Sequence, residues 1–381
     1  MNHSATMSMI DLVKKTTQHV CEQPSTHVRI NSRALEKTCE IISQHIHQKL
    51  KQQQQQQIGT LTTNSTTPSL IESLFIEWDN DTLHYRNLQE PSLTCQYILV
   101  LSSINFCFWP HNDSNPNDEF EYGHLAGALR KVLTQDPNAF HALALSQLSE
   151  EKFIHEWMNG VKVPLVSERV RLIREVGSVL LEHFEGSAFH LIQSAQKGVK
   201  KLVSLITQYF PGFRDSCIYS KTGHQIHFYK RAQIFCADIY GCFRGEGIGE
   251  FEDIHELTMF ADYRVPQLLS SNIHFIENMN TINATVNDMT NINDEDENVV
   301  LVYSSELKDK IARLQPLEYS SQMEVEIRAF TIQAVEQMRQ ILLEKHRIKC
   351  LSIEIDWMLW QIGENARKTI KPHHRTLSIY Y

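Results

Sequence analysis

The chain has 381 residues, enough to bury a large core within one domain. Its formal net charge of -9 argues against a protein that grips nucleic-acid backbones, because that binding draws its affinity from clustered Lys and Arg. Eight cysteines show no CxxC and no zinc-type Cys/His spacing, and no stretch of about 20 apolar residues is available to span a bilayer.

The N-terminal MNHSATMSMIDLVKK lacks the apolar run of a signal peptide, so a cytoplasmic location, with the nucleus as an alternative, is expected, with no metal and no cofactor. Residues 51–68 (KQQQQQQIGTLTTNSTTP) carry too little apolar surface to offset their ordering entropy and are expected to form a loop. The segment 97–102 fits either a short strand or a buried helix. Ser167 is placed to cap a helix whose face is Val170, Ile173, Gly177, Leu180, Leu181 and Phe184, with Gly186 as its stop. Short β-prone runs at 217–219 and 225–229 flank Lys221-Thr222-Gly223-His224, the pattern of a hairpin that feeds a helix starting near Lys230.

Gly245-Glu246-Gly247-Ile248-Gly249 lacks the framing of a nucleotide loop and reads as a tight connection. The Asn-rich, acidic stretch 278–298 is a second expected loop. Beyond it a stripe runs through Val325, Ile332, Val335, Met338 and Leu342, with Glu326 and Arg328 among its polar positions. A last helix after Arg347 carries Ile353, Asp356, Trp357 and Trp360 on one face, which sets an acid on an apolar stripe. His373-His374 offers two metal-ligating rings but reads as a pair of polar surface residues. The fold class is mainly α with a small β-hairpin, one domain over 9–381 interrupted by the two low-complexity segments.

Two segments carry the chemistry. FYKRAQIFCAD (228–238) and LTMFADYRVPQLL (257–269) combine cations, carboxylates, aromatic rings and a proline turn, a mixture suited to an aromatic, phosphorylated small molecule. Lys230 and Arg231 can neutralise phosphate, while Asp262 lies between Phe260 and Tyr263 in a setting that excludes water. The plainer alternatives are a helix N-cap for Asp262 and structural ion pairs for Arg231 or Arg264 with Asp238, Glu326 or Asp215. Asn105 within NFCFWP adds an amide among stacking rings, and His84 lies about twenty residues upstream.

These residues, with Pro164-Leu165-Val166, Glu168-Arg169, Phe210-Pro211, Arg214-Asp215, Glu324-Val325-Glu326-Ile327-Arg328 and Ile379-Tyr380-Tyr381, resemble the queuosine salvage protein family over almost the whole chain. The resemblance implies a single helical domain similar to DNA glycosylases. It implies hydrolysis of the N-glycosidic bond of queuosine 5′-monophosphate to release queuine, with no direct nucleic-acid binding and no membrane partner; a non-enzymatic carrier of queuine or a modified nucleotide is the alternative. It also implies that Phe260 packs on the base, that His84, Asp356 and Trp357 contact it, and that Gln361 stands where the family commonly has an acid. Breaking a ribosyl–nitrogen bond passes through an oxocarbenium-like state that a fixed carboxylate stabilises, and Asp262 is assigned that role.

Overall fold

A computed structural model describes residues 7–24, 26–57, 78, 82–109, 120–277 and 296–381. Its helices are α1 (Met9–Cys21), α2 (Ser32–Gln57), α3 (Pro91–Ser103), α4 (Tyr122–Gln135), α5 (Ala142–Ser146), α6 (Glu150–Lys152), α7 (Val166–His183) and α8 (Ala188–Ser194). They continue as α9 (Val199–Tyr209), α10 (Lys230–Cys242), α11 (Arg264–Leu269), α12 (His274–Glu277), α13 (Ser305–Ala312), α14 (Gln322–His346) and α15 (Ser352–Ala366). The strands are β1 (Val28–Ile30), β2 (Ser216–Ile218), β3 (Gln225–His227) and β4 (Leu301–Tyr303).

The protein is mainly α, and the expected hairpin is β2–β3, with Cys217 opposite Ile226 and α10 following directly. A second antiparallel pair, unforeseen, sets Val28 against Tyr303 and Ile30 against Leu301. Strands of three residues joined from opposite ends of the chain leave no periodicity to read. The segment 97–102 is helical. Every residue of α3 from Thr94 onward is buried, so it has no polar face to mark a helical period. Neighbours α4, α7, α8 and α10 surround it.

Helix α7 begins at Val166 after Leu165 in the left-handed region, so Ser167 is not the cap. The entry is held instead by Arg169, whose Nε donates to the Pro164 carbonyl at 2.8 Å. Gly177 matters for packing: a Cβ there would collide with the Ser146 backbone nitrogen, and its absence lets α7 rest on α5. Leu181, expected on the buried face, is 47% exposed, whereas Gly186 does end the helix, at φ +74 with its N–H donated to Leu180 at 2.8 Å.

Helix α14 organises the other half, with α1, α2, α11, α15 and β1 packed on it. Its stripe from Val325 to Leu342 is buried as expected, but Glu326 and Arg328 are not on a polar face; both are wholly buried, with Glu324. The reason is that this end of α14 is enclosed on every side, and its charges are met by partners. Glu326 accepts the Tyr219 hydroxyl at 2.6 Å and the His27 N–H at 2.5 Å, tying the hairpin and the approach to β1 onto the helix.

The glutamine run does not open a loop at residue 51, because α2 continues to Gln57, and glutamine is a good helix former. Residues 58–68 lie outside the described residues, as do 278–295, while Asp296–Asn298 form one 3-10 turn. Gly247–Gly249 is another such turn just after α10, the tight connection expected. One hydrophobic core extends from Ile10 to Tyr381.

Candidate active site

Residues one turn apart on a helix share a face, and two helices use this to wall a cleft. Helix α10 contributes Lys230, Ile234 and Asp238, and α15 contributes Asp356, Trp357, Trp360 and Glu364. The chain leading into α11 adds Phe260, Asp262, Tyr263 and Arg264, and the opposite wall is Asn105, Phe108, Glu121 and Tyr122. The cleft is open to solvent on one side and sets a few polar groups among aromatic rings, the make-up of a small-molecule site.

Asp262 is half-buried, and its Oδ1 accepts the N–H groups of Arg264 at 3.0 Å and Val265 at 3.1 Å. The acid therefore caps the first turn of α11, and one oxygen does this alone. Asp356 is buried, and its Oδ1 accepts the Phe260 N–H at 3.0 Å, fixing the backbone that carries the aromatic wall. Burial pushes Asp356 well above the usual carboxylate range and the Asp262 charge adds to this, against the Phe260 N–H and Lys230. Burial raises Asp262 as well, opposed by Lys230 and by the two N–H groups of α11. Two backbone donors and the pull of Lys230 hold Asp262 lower than Asp356, which has one backbone donor and the Asp262 charge against it.

Lys230 opens α10 after Tyr229, which sits at φ 49 in the left-handed region. Asp215 secures this turn: its carbonyl accepts the N–H groups of Phe228 and Tyr229, and its Oδ2 accepts the Lys230 N–H at 3.1 Å. Burial lowers the Lys230 ammonium to about 8, with Asp262 opposing. At the mouth, Arg264 Nε pairs with Glu364 at 2.7 Å and Arg367 pairs with Glu121 at 2.8 Å. Arg264 lies flat across α15 at Gly363, where a Cβ would stand only 3.0 Å from its Cγ.

Of the residues singled out in the sequence, Asp262, Phe260, Asp356, Trp357, Asn105 and Lys230 meet in this cleft. Arg231 does not. One residue further round α10, it is buried, donates to the carbonyls of Ser103 and Gly212, and packs on Phe106 and Phe213, so its partners are carbonyls rather than phosphate or a carboxylate. His84 stands behind the wall, stacked on Trp78 at 4.3 Å and 5.8 Å from the ring of Tyr122, and burial lowers it to about 3, leaving it neutral. Gln361 points off the cleft face and donates to Asn365 at 3.2 Å.

The NFCFWP segment divides: Asn105 and Phe108 face the cleft, Phe106 lies under Arg169 at 4.4 Å, and Trp109 meets Tyr263 edge-on at 5.1 Å. Of the two histidines read as surface residues, His374 is buried and hydrogen-bonds Tyr381 at 2.5 Å, while His373 is half-buried and packs on Tyr263 at 4.2 Å. Among the described residues no group of three or more His, Cys, Asp or Glu is arranged to hold a metal. Sequence reasoning missed Glu121, Tyr122 and Glu364. Glu364 was legible as the next turn of the Asp356–Trp360 face, whereas the start of α4 offered no signal.

An acid pair, a cation and aromatic walls thus line one cleft of a helical protein, the chemistry of a small-molecule site. The chain belongs to the queuosine salvage protein family, whose model matches residues 83–300 and 296–381. It is 41% identical over 383 residues to a queuosine 5′-phosphate N-glycosylase/hydrolase of Dictyostelium discoideum, covering 98% of this chain and 100% of that protein. Proteins of the same name from Sphaerobacter thermophilus and Bos taurus are each 33% identical, over 352 and 303 residues, covering 85% and 75% of this chain and 98% and 81% of theirs.

Proposed function

We propose that this chain hydrolyses the N-glycosidic bond of queuosine 5′-phosphate and releases queuine. The observation that carries the proposal is the placement of Asp262, capped onto α11 beside Lys230 and Asp356 within an aromatic cleft. As the glycosidic bond lengthens, positive charge grows on the sugar, and a fixed carboxylate in a poorly solvated site stabilises it without reorganising. Asp262 does this and orients the attacking water. The leaving base is a 7-deazapurine with no N7 to protonate, so electron density must be met at another edge. Asp356, holding a proton, donates a hydrogen bond there, while Phe260, Trp357, Trp360 and Phe108 offer rings for the base to lie against.

Lys230 and Arg264 are the cations of the wall and supply the field for the 5′-phosphate, Arg264 sharing its charge with Glu364. Lys230 also keeps Asp262 ionised. A carrier protein would have no use for an acid–cation pair at the sugar. The net charge of -9 supports a mononucleotide substrate over a polynucleotide. The eight cysteines, all free, support a reducing compartment such as the cytoplasm, and no helix among the described residues is long and apolar enough to cross a membrane.

The test is to incubate the protein with queuosine and with its 5′-monophosphate and to measure free queuine by chromatography. The monophosphate is expected to be cleaved with at least tenfold higher kcat/KM, roughly the effect of one remote ionic contact used to position the sugar. Equal values remove the phosphate role of Lys230 and Arg264, and absence of queuine from both overturns the proposed activity.

A further inference from the structure

Two parts of the acid–cation site come from chain segments that do not touch in sequence: Asp262 follows α10 by a long connection, and Lys230 opens α10 itself. One buried side chain reaches both. Arg328, wholly buried on α14, donates from Nε to the carbonyl of Ala261, the residue before Asp262, at 3.3 Å. Its other two nitrogens grip Asp215, Nη1 to Oδ1 at 3.0 Å and Nη2 to Oδ2 at 2.5 Å. The same Asp215 Oδ2 accepts the Lys230 N–H at 3.1 Å. The guanidinium plane is pinned over Phe228 at 3.8 Å, and Glu324, one turn back on α14, lies 3.5 Å from Nη1.

We infer that Arg328 and Asp215 are positioning residues that set the placement of the Lys230 ammonium relative to the Asp262 carboxylate. The argument is geometric. A planar fork with donors in fixed directions can hold a carboxylate with two nitrogens and a carbonyl with the third, and a lysine cannot. The turn it secures is one the backbone does not favour, with Tyr229 in the left-handed region immediately before Lys230. Released from Asp215, that turn is free to move to a more favourable conformation and carry the ammonium with it. Neither Arg328 nor Asp215 lines the cleft, so the pair acts on it through the backbone of Ala261 and Lys230.

The inference rests on the assignment of Asp262 as the acid at the sugar, and the experiment separates the two. Arg328→Lys and Asp215→Asn are compared with the parent for queuosine 5′-monophosphate hydrolysis, queuine binding, thermal unfolding and the pH dependence of kcat/KM, with Glu324→Gln as a control and Asp262→Asn alongside. Asp262 is faced by Lys230 of α10, Tyr263 beside it, Arg264 of α11, Asp356 of α15 and Tyr381 at the end of the chain, and of the cations Lys230 has the larger hold on it.

A displaced Lys230 lets the Asp262 carboxyl rise further, so the acid limb of kcat/KM moves to higher pH. The expected result is a 10- to 100-fold lower kcat in folded Arg328→Lys and Asp215→Asn. Affinity for queuine, which carries no phosphate, stays within about threefold, KM for the monophosphate rises with the displaced Lys230, the acid limb shifts upward, and Glu324→Gln stays near the parent rate. Parent-like kcat and pH profile in either folded variant overturns the inference. So does loss of folding in both variants where Glu324→Gln is folded, because the network is then a stability element only. A parent that cleaves the substrate while Asp262→Asn does so equally well removes instead the assignment on which the inference stands.

Discussion

Replacing Asp262 by Asn isolates charge from shape at the proposed catalytic position. The amide retains an oxygen for the N–H groups of Arg264 and Val265, now at 3.0 and 3.1 Å, so the first turn of α11 keeps its cap. What disappears is a negative charge held beside the developing cation. Removal of one preorganised electrostatic group lowers kcat by about 10²–10³, or roughly 3–4 kcal/mol of transition-state stabilisation, while the cleft walls that govern KM are untouched.

The effect on folding has the opposite tendency. Burial raises the folded-state pKa of Asp262, so its stabilising contribution is complete below the unfolded value near 3.9 and is lost as pH rises through the folded one. At pH 7 the ionised group is therefore a cost that Asn relieves. Against this stand the weaker hydrogen bonds of a neutral acceptor, about 1 kcal/mol in all, so Tm should move by no more than about 3 °C in either direction. The assay is single-turnover cleavage of queuosine 5′-phosphate with enzyme in excess, with free queuine as readout. A rate within about fivefold of the parent, or a loss of rate that is matched by a collapse of Tm, refutes the role given to Asp262.

Two further outcomes follow from buried groups. Arg231→Met leaves the carbonyls of Ser103 and Gly212 unpaired in the core and should cost on the order of 2–5 kcal/mol in urea unfolding, with KM for the monophosphate unchanged; a raised KM at parent stability would instead place Arg231 at the phosphate. Glu354, whose Oε2 accepts the Leu351 N–H at 2.5 Å, is raised by burial to about 8, so the stability it contributes is full below about 4.5 and is lost as pH climbs through 8. Glu354→Gln should flatten that decline, gaining on the order of 1–4 kcal/mol relative to the parent between pH 5 and 8.5, and chemical denaturation at those two pH values measures it.

The sequence by itself determined the elements that announce themselves locally. Amphipathic stripes marked α14 and α15, the hairpin's turn marked β2–β3, and the spacing of Asp356 and Trp357 put an acid and a ring on one helical face, because period and side-chain direction are properties of a single segment. Tertiary structure decided what depends on surroundings. Lys230 and Arg231 are adjacent and chemically alike, yet a turn of about 100° sends one into the cleft and the other among carbonyls, and nothing local says which side the cleft is on.

The same holds for Glu326 and Arg328, which read as polar positions until their helix was enclosed on all sides. It holds for His84, which lies behind Tyr122, and for Gln361, which turns to Asn365 on its own helix. A carboxylate's charge, too, belongs to the fold rather than to the chain. Asp262 and Asp356 are the same residue type, and two backbone N–H groups at the first, against one N–H and deeper burial at the second, push Asp356 further above the usual carboxylate range.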